Sequence, residues 1–332
     1  MHDISEVTIG GRSIVEAMYA NQPAWHQLGQ IYDPQGQNAP DSEKAMSLAH
    51  LDWLVEKQQL ALLNNPGAAI EDFWGLVRTD TGKTLSVVGS KYEVFQNYEG
   101  FAFLDSLLMD GIMQYETAFA LQGGRQIVLL ARMPSVDWVT KEDPQLRYVM
   151  CNLSHGGGSI ILMPTTVRVI CANTLQVALA RDTYKVSIRH SGDMEEKLSQ
   201  AKSYLAQFDE AFTGYIDQAQ RLLTGYTDPQ AVEYMGELFP VRTDTERMRK
   251  ADEKKKDQVR RMWERPAQQM KSVKGTWWSL FNSVTDAVDH AKKPRESKNV
   301  VKRVENRFLS VSDGPEASFK NRAFNLALEM AS

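Results

Sequence analysis

The run 154–175, SHGGGSIILMPTTVRVICANTL, gathers a histidine, three consecutive glycines, an arginine and a cysteine. Such a run could cradle a phosphate, build an oxyanion hole or turn a hairpin. A Walker-type phosphate loop needs a lysine and a hydroxyl after its last glycine to meet the phosphates and magnesium. Here the glycines are followed by SIIL, with no lysine. The lipase-type oxyanion segment needs a Gly-x-Ser-x-Gly nucleophile elbow elsewhere, and the chain has none. Three glycines between two strand-like runs instead suit a tight turn, where positive φ is needed.

Metal chemistry finds equally little support. Cys151 and His155 form the closest Cys/His pair, with no second pair at ligand spacing. Asp286, Asp289 and His290 share one helical stretch, which also reads as an ordinary polar helix end. No paired carboxylates or nucleophile–base arrangement emerges. The expectation is a binding protein without a catalytic residue, metal or cofactor. The two cysteines, Cys151 and Cys171, cannot build a disulfide framework and are expected to be free thiols in a reducing compartment.

Cations on strands remain. In TTVRVI, Thr166, Arg168 and Ile170 alternate with Thr165, Val167 and Val169, so Arg168 is either paired in a core or aimed at an anion. In YKVSIRH, Lys185, Ser187 and Arg189 share one face opposite Val186, Ile188 and His190. With Arg181 beside them, these cations could track a sugar-phosphate backbone; a solvated sheet face fits the same residues. Lys91 and Tyr92 in GSKYEVF are neighbouring candidates. A second candidate surface is the charged run holding Lys254, Lys255, Lys256, Arg260 and Arg261. The formal net charge of −4 hides a segregation behind it. Of 38 Lys and Arg, 19 fall in residues 242–307, against 10 of the 42 Asp and Glu. That asymmetry suits contact with a polyanion, or a solvated helix on an acidic partner.

The elements that must position these residues are read from periodicity. Residues 1–40 carry turn signals and are expected to form an irregular arm, with Trp25 and His26 as a structural latch. An antiparallel α+β core is expected over 41–192. Asp41 or Ser42 caps a short helix, and 51–63 is ambiguous between helix and strand. Hairpins turn at Asp80–Lys83, at Gly123-Gly124 and at the three glycines, with a helix over 98–109. The stretch CANTLQVALAR reads as a helix and YKVSIRH as a further strand. From 193 to 332 the chain is expected to be helical, with the basic segment 242–307 inside it. One amphipathic helix runs from a cap at Asp193 to about Gly225, followed by a charged helix, an aromatic-rich helix and a short closing helix. The fold class expected is α+β: an antiparallel hairpin sheet with packed helices, then a helical C-terminal third. No apolar run approaches the roughly 20 residues of a membrane span.

Several of these stretches occur together in a known pattern. PAWHQLG, SVVGSKYEVFQNYE, GGRQIVLLARMP, TTVRVICANTL followed by IRHSG, and GTWWSLFNSVTDAVDH resemble, in order, the phage/plasmid-like protein family of domain of unknown function 932. The family often has two asparagines after the cysteine; here Ala172 replaces the first. The resemblance implies a protein of a bacteriophage, plasmid or integrated element, working in the bacterial cytoplasm, with no activity established for the family. The order of hairpins, strands and helix also resembles, at fold level alone, ring-forming single-strand annealing recombinases. Together these imply a homo-oligomer, ring or filament, that binds single-stranded DNA and mediates ATP-independent annealing or recombination. Two other readings stand beside it: a phage effector that inhibits a host protein through its acidic surface, and a metal-dependent nucleic-acid-processing enzyme.

Overall fold

The computed structural model describes residues 6–9, 12–20, 29–33, 38–108, 114–156, 159–168, 174–175, 186–189, 194–241, 245–264, 268–288 and 315–332. Trp25, His26, Cys171, Arg181, Lys185 and His290 lie outside these. The α+β class expected from periodicity is the one observed.

The strands form two main sheets. The larger has the order β12 (Thr174–Leu175), β11 (Ser159–Arg168), β10 (Asp143–Ser154), β9 (Gln126–Thr140), β8 (Gln114–Leu121), β3 (Ala17–Tyr19) and β4 (Gln30–Ile31). A further strand, β13 (Val186–Arg189), also pairs with β11. All neighbours are antiparallel except β3 and β4. The smaller sheet is a meander of β5 (Val55–Leu62), β6 (Asn65–Arg78) and β7 (Thr84–Gly89). A separate hairpin pairs β1 (Glu6–Ile9) with β2 (Arg12–Val15). The hairpin turns read from Asp80–Lys83 and Gly123-Gly124 fall where expected, β10 and β11 flank the glycine run (Gly157 and Gly158 lie outside the described residues), and 51–63 contains the strand β5.

Alternation along the large sheet explains its two apolar faces. Ala118, Ala120, Ile127, Leu129, Val149, Cys151, Leu153, Ile160 and Leu162 join one core with α1 (Ser42–Leu48), α2 (Asn97–Leu108) and the first half of α3 (Met194–Arg221). Phe119, Leu121, Val128, Met150 and Met163 face the other way, with Ala17 and Tyr19. Burial pushes the Cys151 thiol up to about 12, so it stays protonated and inert.

The helical third has its own core. Asp228–Leu238 (α4), Glu246–Glu264 (α5), Trp277–Asp286 (α6) and Pro315–Met330 (α7) follow α3. Tyr215, Tyr234, Trp277, Trp278, Phe281 and Phe324 pack together. The aromatic stripe of α3 divides between the two cores: Phe208 and Phe212 pack on the sheet side, Tyr215 on the helical side. The indole of Trp278 donates to the buried Asp143 carboxylate at 2.7 Å, tying this core to the β9–β10 turn. No helix among the described residues is long and apolar enough to cross a membrane.

Three local expectations differ from the structure. The arm 1–40 holds β3, fully buried and paired with β8 through Ala17↔Phe119 and Tyr19↔Thr117, so tertiary pairing overrides its turn-rich composition. Within the expected helix CANTLQVALAR, Thr174 and Leu175 instead pair with Val167 and Thr166 as β12. The helix α4 was not anticipated, although Thr227 and Gln230 form a capping box, Pro229 sits in the first turn, and Ala231, Tyr234, Met235 and Leu238 keep helical spacing.

At one end of the sheets sits a buried charge. Arg78, closing β6, is fully buried with Glu16. Its guanidinium donates to both Glu16 oxygens (2.7 and 3.0 Å), both Asp80 oxygens (2.6 and 3.0 Å) and the Gly123 carbonyl (3.2 Å). All five of its donors are thereby used. Trp53 lies against it, 4.0 Å from ring centroid to guanidinium carbon, and donates its own N–H to Glu16. Gly124, at φ 99°, makes the close approach possible: a Cβ there would stand 2.9 Å from both Arg78 and Trp53. Burial raises the Glu16 carboxyl above the ordinary carboxylate range, with Arg78 and Trp53 pulling it back. Arg78→Ala should therefore cost roughly 3–5 kcal/mol of unfolding free energy, because it strands a buried carboxylate. Without the guanidinium Glu16 takes up a proton, so the folded state holds more protons than the unfolded one and stability falls with rising pH. Urea denaturation should show the deficit against the unsubstituted protein narrowing as pH is lowered from 7 towards 5.

Candidate nucleic-acid interface

The sheet cations proposed from the sequence occupy the edge at β11, but not one spot on it. Arg189 pairs with Ser159 at the start of β11, whereas Arg168 ends that strand opposite Gln145. Nine residues at about 3.3 Å each separate those two positions by about 30 Å. The side chains of Arg168 and Arg189 lie outside the described residues, as do Arg181 and Lys185 entirely. The alternation expected for YKVSIRH holds where it is described: Ile188 is buried and Ser187 exposed. Lys91 and Tyr92 belong elsewhere, in the turn after β7 of the smaller sheet. Lys91 is exposed; Tyr92 packs partly into the core, and burial raises its hydroxyl above the usual tyrosine range. Its carbonyl accepts from Lys57 at 3.0 Å. Tyr92 is thus a packing residue and no free stacking ring.

The helix α5 gives a more coherent surface. At 100° per residue, Met248, Asp252 and Lys256 lie within about 40° of one line. Asp252 is buried, Met248 and Lys256 half-buried, which orients this side inward; α5 packs against α6. Arg247, Lys254 and Arg261 recur every seven residues on the opposite side, and all three are exposed. Successive members of this stripe are about 10.5 Å apart, so it spans about 21 Å. None of the three has an ion-pair partner among the described residues. Three other cations of the helix are paired within it: Arg249 bridges Glu246 and Glu253 at 2.8 and 2.7 Å, Lys250 meets Glu246 at 3.3 Å, and Arg260 meets Glu264 at 3.1 Å. The hydrogen bonds from Arg249 and then Lys250 hold the Glu246 carboxyl below its ordinary range. Among the residues proposed from the sequence, Lys254 and Arg261 therefore stand as available cations and Arg260 is paired. The side chain of Lys255 lies outside the described residues. Arg247 was not among the residues proposed from the sequence for this surface; its seven-residue recurrence with Lys254 and Arg261 was the signal that could have placed it there.

A second feature sits at the tip of the β9–β10 hairpin. Trp138, Val139, Thr140, Lys141 and Gln220 line an open cavity of about 480 Å³. Trp138 is 49% exposed, Lys141 is exposed, and Gln220 of α3 donates to the Trp138 carbonyl at 3.1 Å, fixing the strand. An exposed indole beside an ammonium is a surface on which a nucleobase can stack while its phosphate meets the cation. The Trp278–Asp143 bond anchors this tip to α6, the helix that also carries α5. Composition did not single out Trp138, because DWVT within a strand reads equally as core. Among the described residues no cluster of His, Cys, Asp and Glu could hold a metal ion.

Because Arg247, Lys254 and Arg261 are exposed and have no ion-pair partner among the described residues, they contribute little to folding. The triple substitution R247Q/K254Q/R261Q should leave the unfolding free energy within about 0.5 kcal/mol of the original, measured by urea denaturation.

Comparison with known proteins adds one relationship. No curated protein and no solved structure matches the chain. A family model does match, over residues 84–308, from the start of β7 through the whole of α6 and beyond, and so over more than half of the 332 residues. The order of motifs from SVVGSKYEVF to NSVTDAVDH falls within that match, and on it the chain belongs to the family described as domain of unknown function, DUF932.

Proposed function

We propose that this protein binds nucleic acid through the outer face of α5, assisted by the Trp138–Lys141 tip, and serves the DNA metabolism of a phage or plasmid. The observation that carries the reading is the stripe of Arg247, Lys254 and Arg261, opposite the buried side of the helix and without an ion-pair partner among the described residues. Three exposed cations on one line offer a polyanion a row of contacts that little in the fold competes for. The chain as a whole is acidic, so the cations are concentrated rather than general.

The most concrete form of this reading is ATP-independent annealing or recombination mediation on single strands by an oligomer. Such a protein holds the backbone by charge and a few bases by stacking, and many weak contacts add along the strand. An exposed Trp138 favours single strands over duplex, because a base within a duplex is already stacked. The separate cations at Arg168 and Arg189, about 30 Å apart along β11, would extend the track and not form its centre.

Two measurements test this. A salt titration of binding to a labelled oligonucleotide should give a log–log slope that becomes shallower by about 2 in R247Q/K254Q/R261Q, since each single-strand phosphate contributes about 0.7. An unchanged slope removes α5 from the interface. Trp138→Ala should weaken single-strand binding by roughly 1–3 kcal/mol, measured by fluorescence anisotropy, and leave duplex binding nearly unaltered. Cleavage of the oligonucleotide with added magnesium or manganese would instead favour a processing enzyme.

A further inference from the structure

Ten large apolar side chains stand exposed among the described residues, and five of them belong to the smaller sheet or its margins: Leu54 just before β5, Phe73 and Val87 midway, and Leu62 and Leu63 at the far end. Leu62 is 56% and Leu63 95% exposed. Both sit at the end of a ribbon formed by β5 and β6. The third strand, β7, accompanies β6 only from Phe73↔Gly89 inward. Beyond Gln59↔Trp74 the two strands therefore pair only with each other, through Ala61↔Ala69 and Leu62↔Asn65. A lone two-stranded ribbon is marginal in water.

The ribbon is also electrically empty. Residues 58–70, QQLALLNNPGAAI, contain no charged side chain in a chain where 24% are charged. Its outer edge is the free edge of β5, which no strand joins among the described residues. Among the described residues, Val55 alone on this edge has its backbone groups covered, by the Gln96 side chain. Natural edge strands are normally blunted by a lysine, a proline or a bulge. Here the extra residues of both register shifts fall on β6, leaving β5 regular, and Lys57 is turned back onto the Ser90 and Tyr92 carbonyls. From Gln58 to Leu62 none of these protections is present.

We propose that this ribbon is the self-association surface of the protein, with a second copy of the chain as its occupant. The two β5 edges pair antiparallel about a two-fold axis and join two three-stranded sheets into one of six. Charge selects this occupant. A neutral edge meets its own copy without like-charge repulsion, which few surface segments of a 24%-charged chain could do. The charges flanking the ribbon are Glu56, Glu71 and Asp72, with Lys57 already engaged, so a polyanion or an anionic bilayer is repelled. The free backbone groups of β5 call for another strand, and the isologous arrangement closes on itself. This interface stands on the ribbon alone, and does not depend on the nucleic-acid reading.

The test is the mass of the full chain by light scattering after size exclusion, at tens of micromolar. The unsubstituted protein should run as a dimer or a multiple of it, twice or more the 37.5 kDa of one chain. Leu62→Glu/Leu63→Glu should lower that mass at least twofold with an unchanged far-ultraviolet spectrum. Hydrogen exchange provides a second measurement that needs no variant: amides of Gln58–Leu62 should be protected at high concentration and lose protection on dilution. A monomeric unsubstituted protein, a double variant that keeps the original mass, or exchange independent of concentration would overturn the proposal. So would a monomer that floats with neutral phosphatidylcholine vesicles, which would give the ribbon to a lipid surface.

Discussion

A guanidinium removed from water must have every donor answered, and Arg78 sets the arrangement of the sheet half by that requirement. Its partners come from separate parts of the chain: Glu16 before β3, Asp80 in the β6–β7 turn, Gly123 in the β8–β9 turn, and Trp53 before β5. None of these segments is adjacent in sequence to all the others. The cation therefore links the N-terminal segment to both sheets at a single point. The next residue after Glu16 is Ala17, which pairs with Phe119, so the same contact also sets the register in which β3 joins the large sheet. His155 extends the cluster, its ring 5.5 Å from Trp53 and its Nε2 2.8 Å from Asn97. A histidine beside three glycines invites a catalytic interpretation; its place is that of a buried hydrogen-bonding residue under the turn.

The second constraint is the coupling of the two cores. At about 1.5 Å per residue the 28-residue α3 is about 42 Å long, enough to reach from the sheet to the helical third. Arg147 on β10 clasps Asp137 on β9 and Asp209 on α3 while lying over Phe212, so the β9–β10 hairpin is held to the helix a few residues from its turn. Trp278–Asp143 then fixes the hairpin turn to α6. Trp138 stands between these two anchors, so its indole is presented on a rigid support although it is half exposed.

Much of this was legible because alternation and turn chemistry act locally. The hairpins announced themselves through Asp80–Lys83, Gly123-Gly124 and the glycine run, and α3, α5 and α6 through their periodicity. What escaped was decided by distant partners. Ala17–Tyr19 is strand because Phe119 and Thr117 are there to pair with it; its own neighbours signal turns. Thr174 and Leu175 lie in a stretch of helical pattern but meet the edge of β11. For the site, composition located the cationic segment, while spacing could not choose between Arg260, which takes Glu264, and Arg261, since Asp257 and Glu264 lie within one turn of both. Arg78 offered no sequence signal at all, since a lone arginine at a strand end reads as surface.

The two proposed surfaces differ in how they respond to the solvent, and this follows from their composition. Neighbouring cations on the α5 stripe lie about 10.5 Å apart, near the Debye length of about 10 Å at 0.1 M salt. In the proposed interface each would therefore meet a phosphate almost independently, and the number of stripe cations would govern the interaction more than the chain's net charge of −4. The β5–β6 ribbon has no charge to screen between Gln58 and Ile70. Its association rests on apolar burial and backbone pairing, which salt leaves intact or strengthens. Segregating the charged and neutral surfaces in this way lets one be released by ionic strength while the other holds the assembly together.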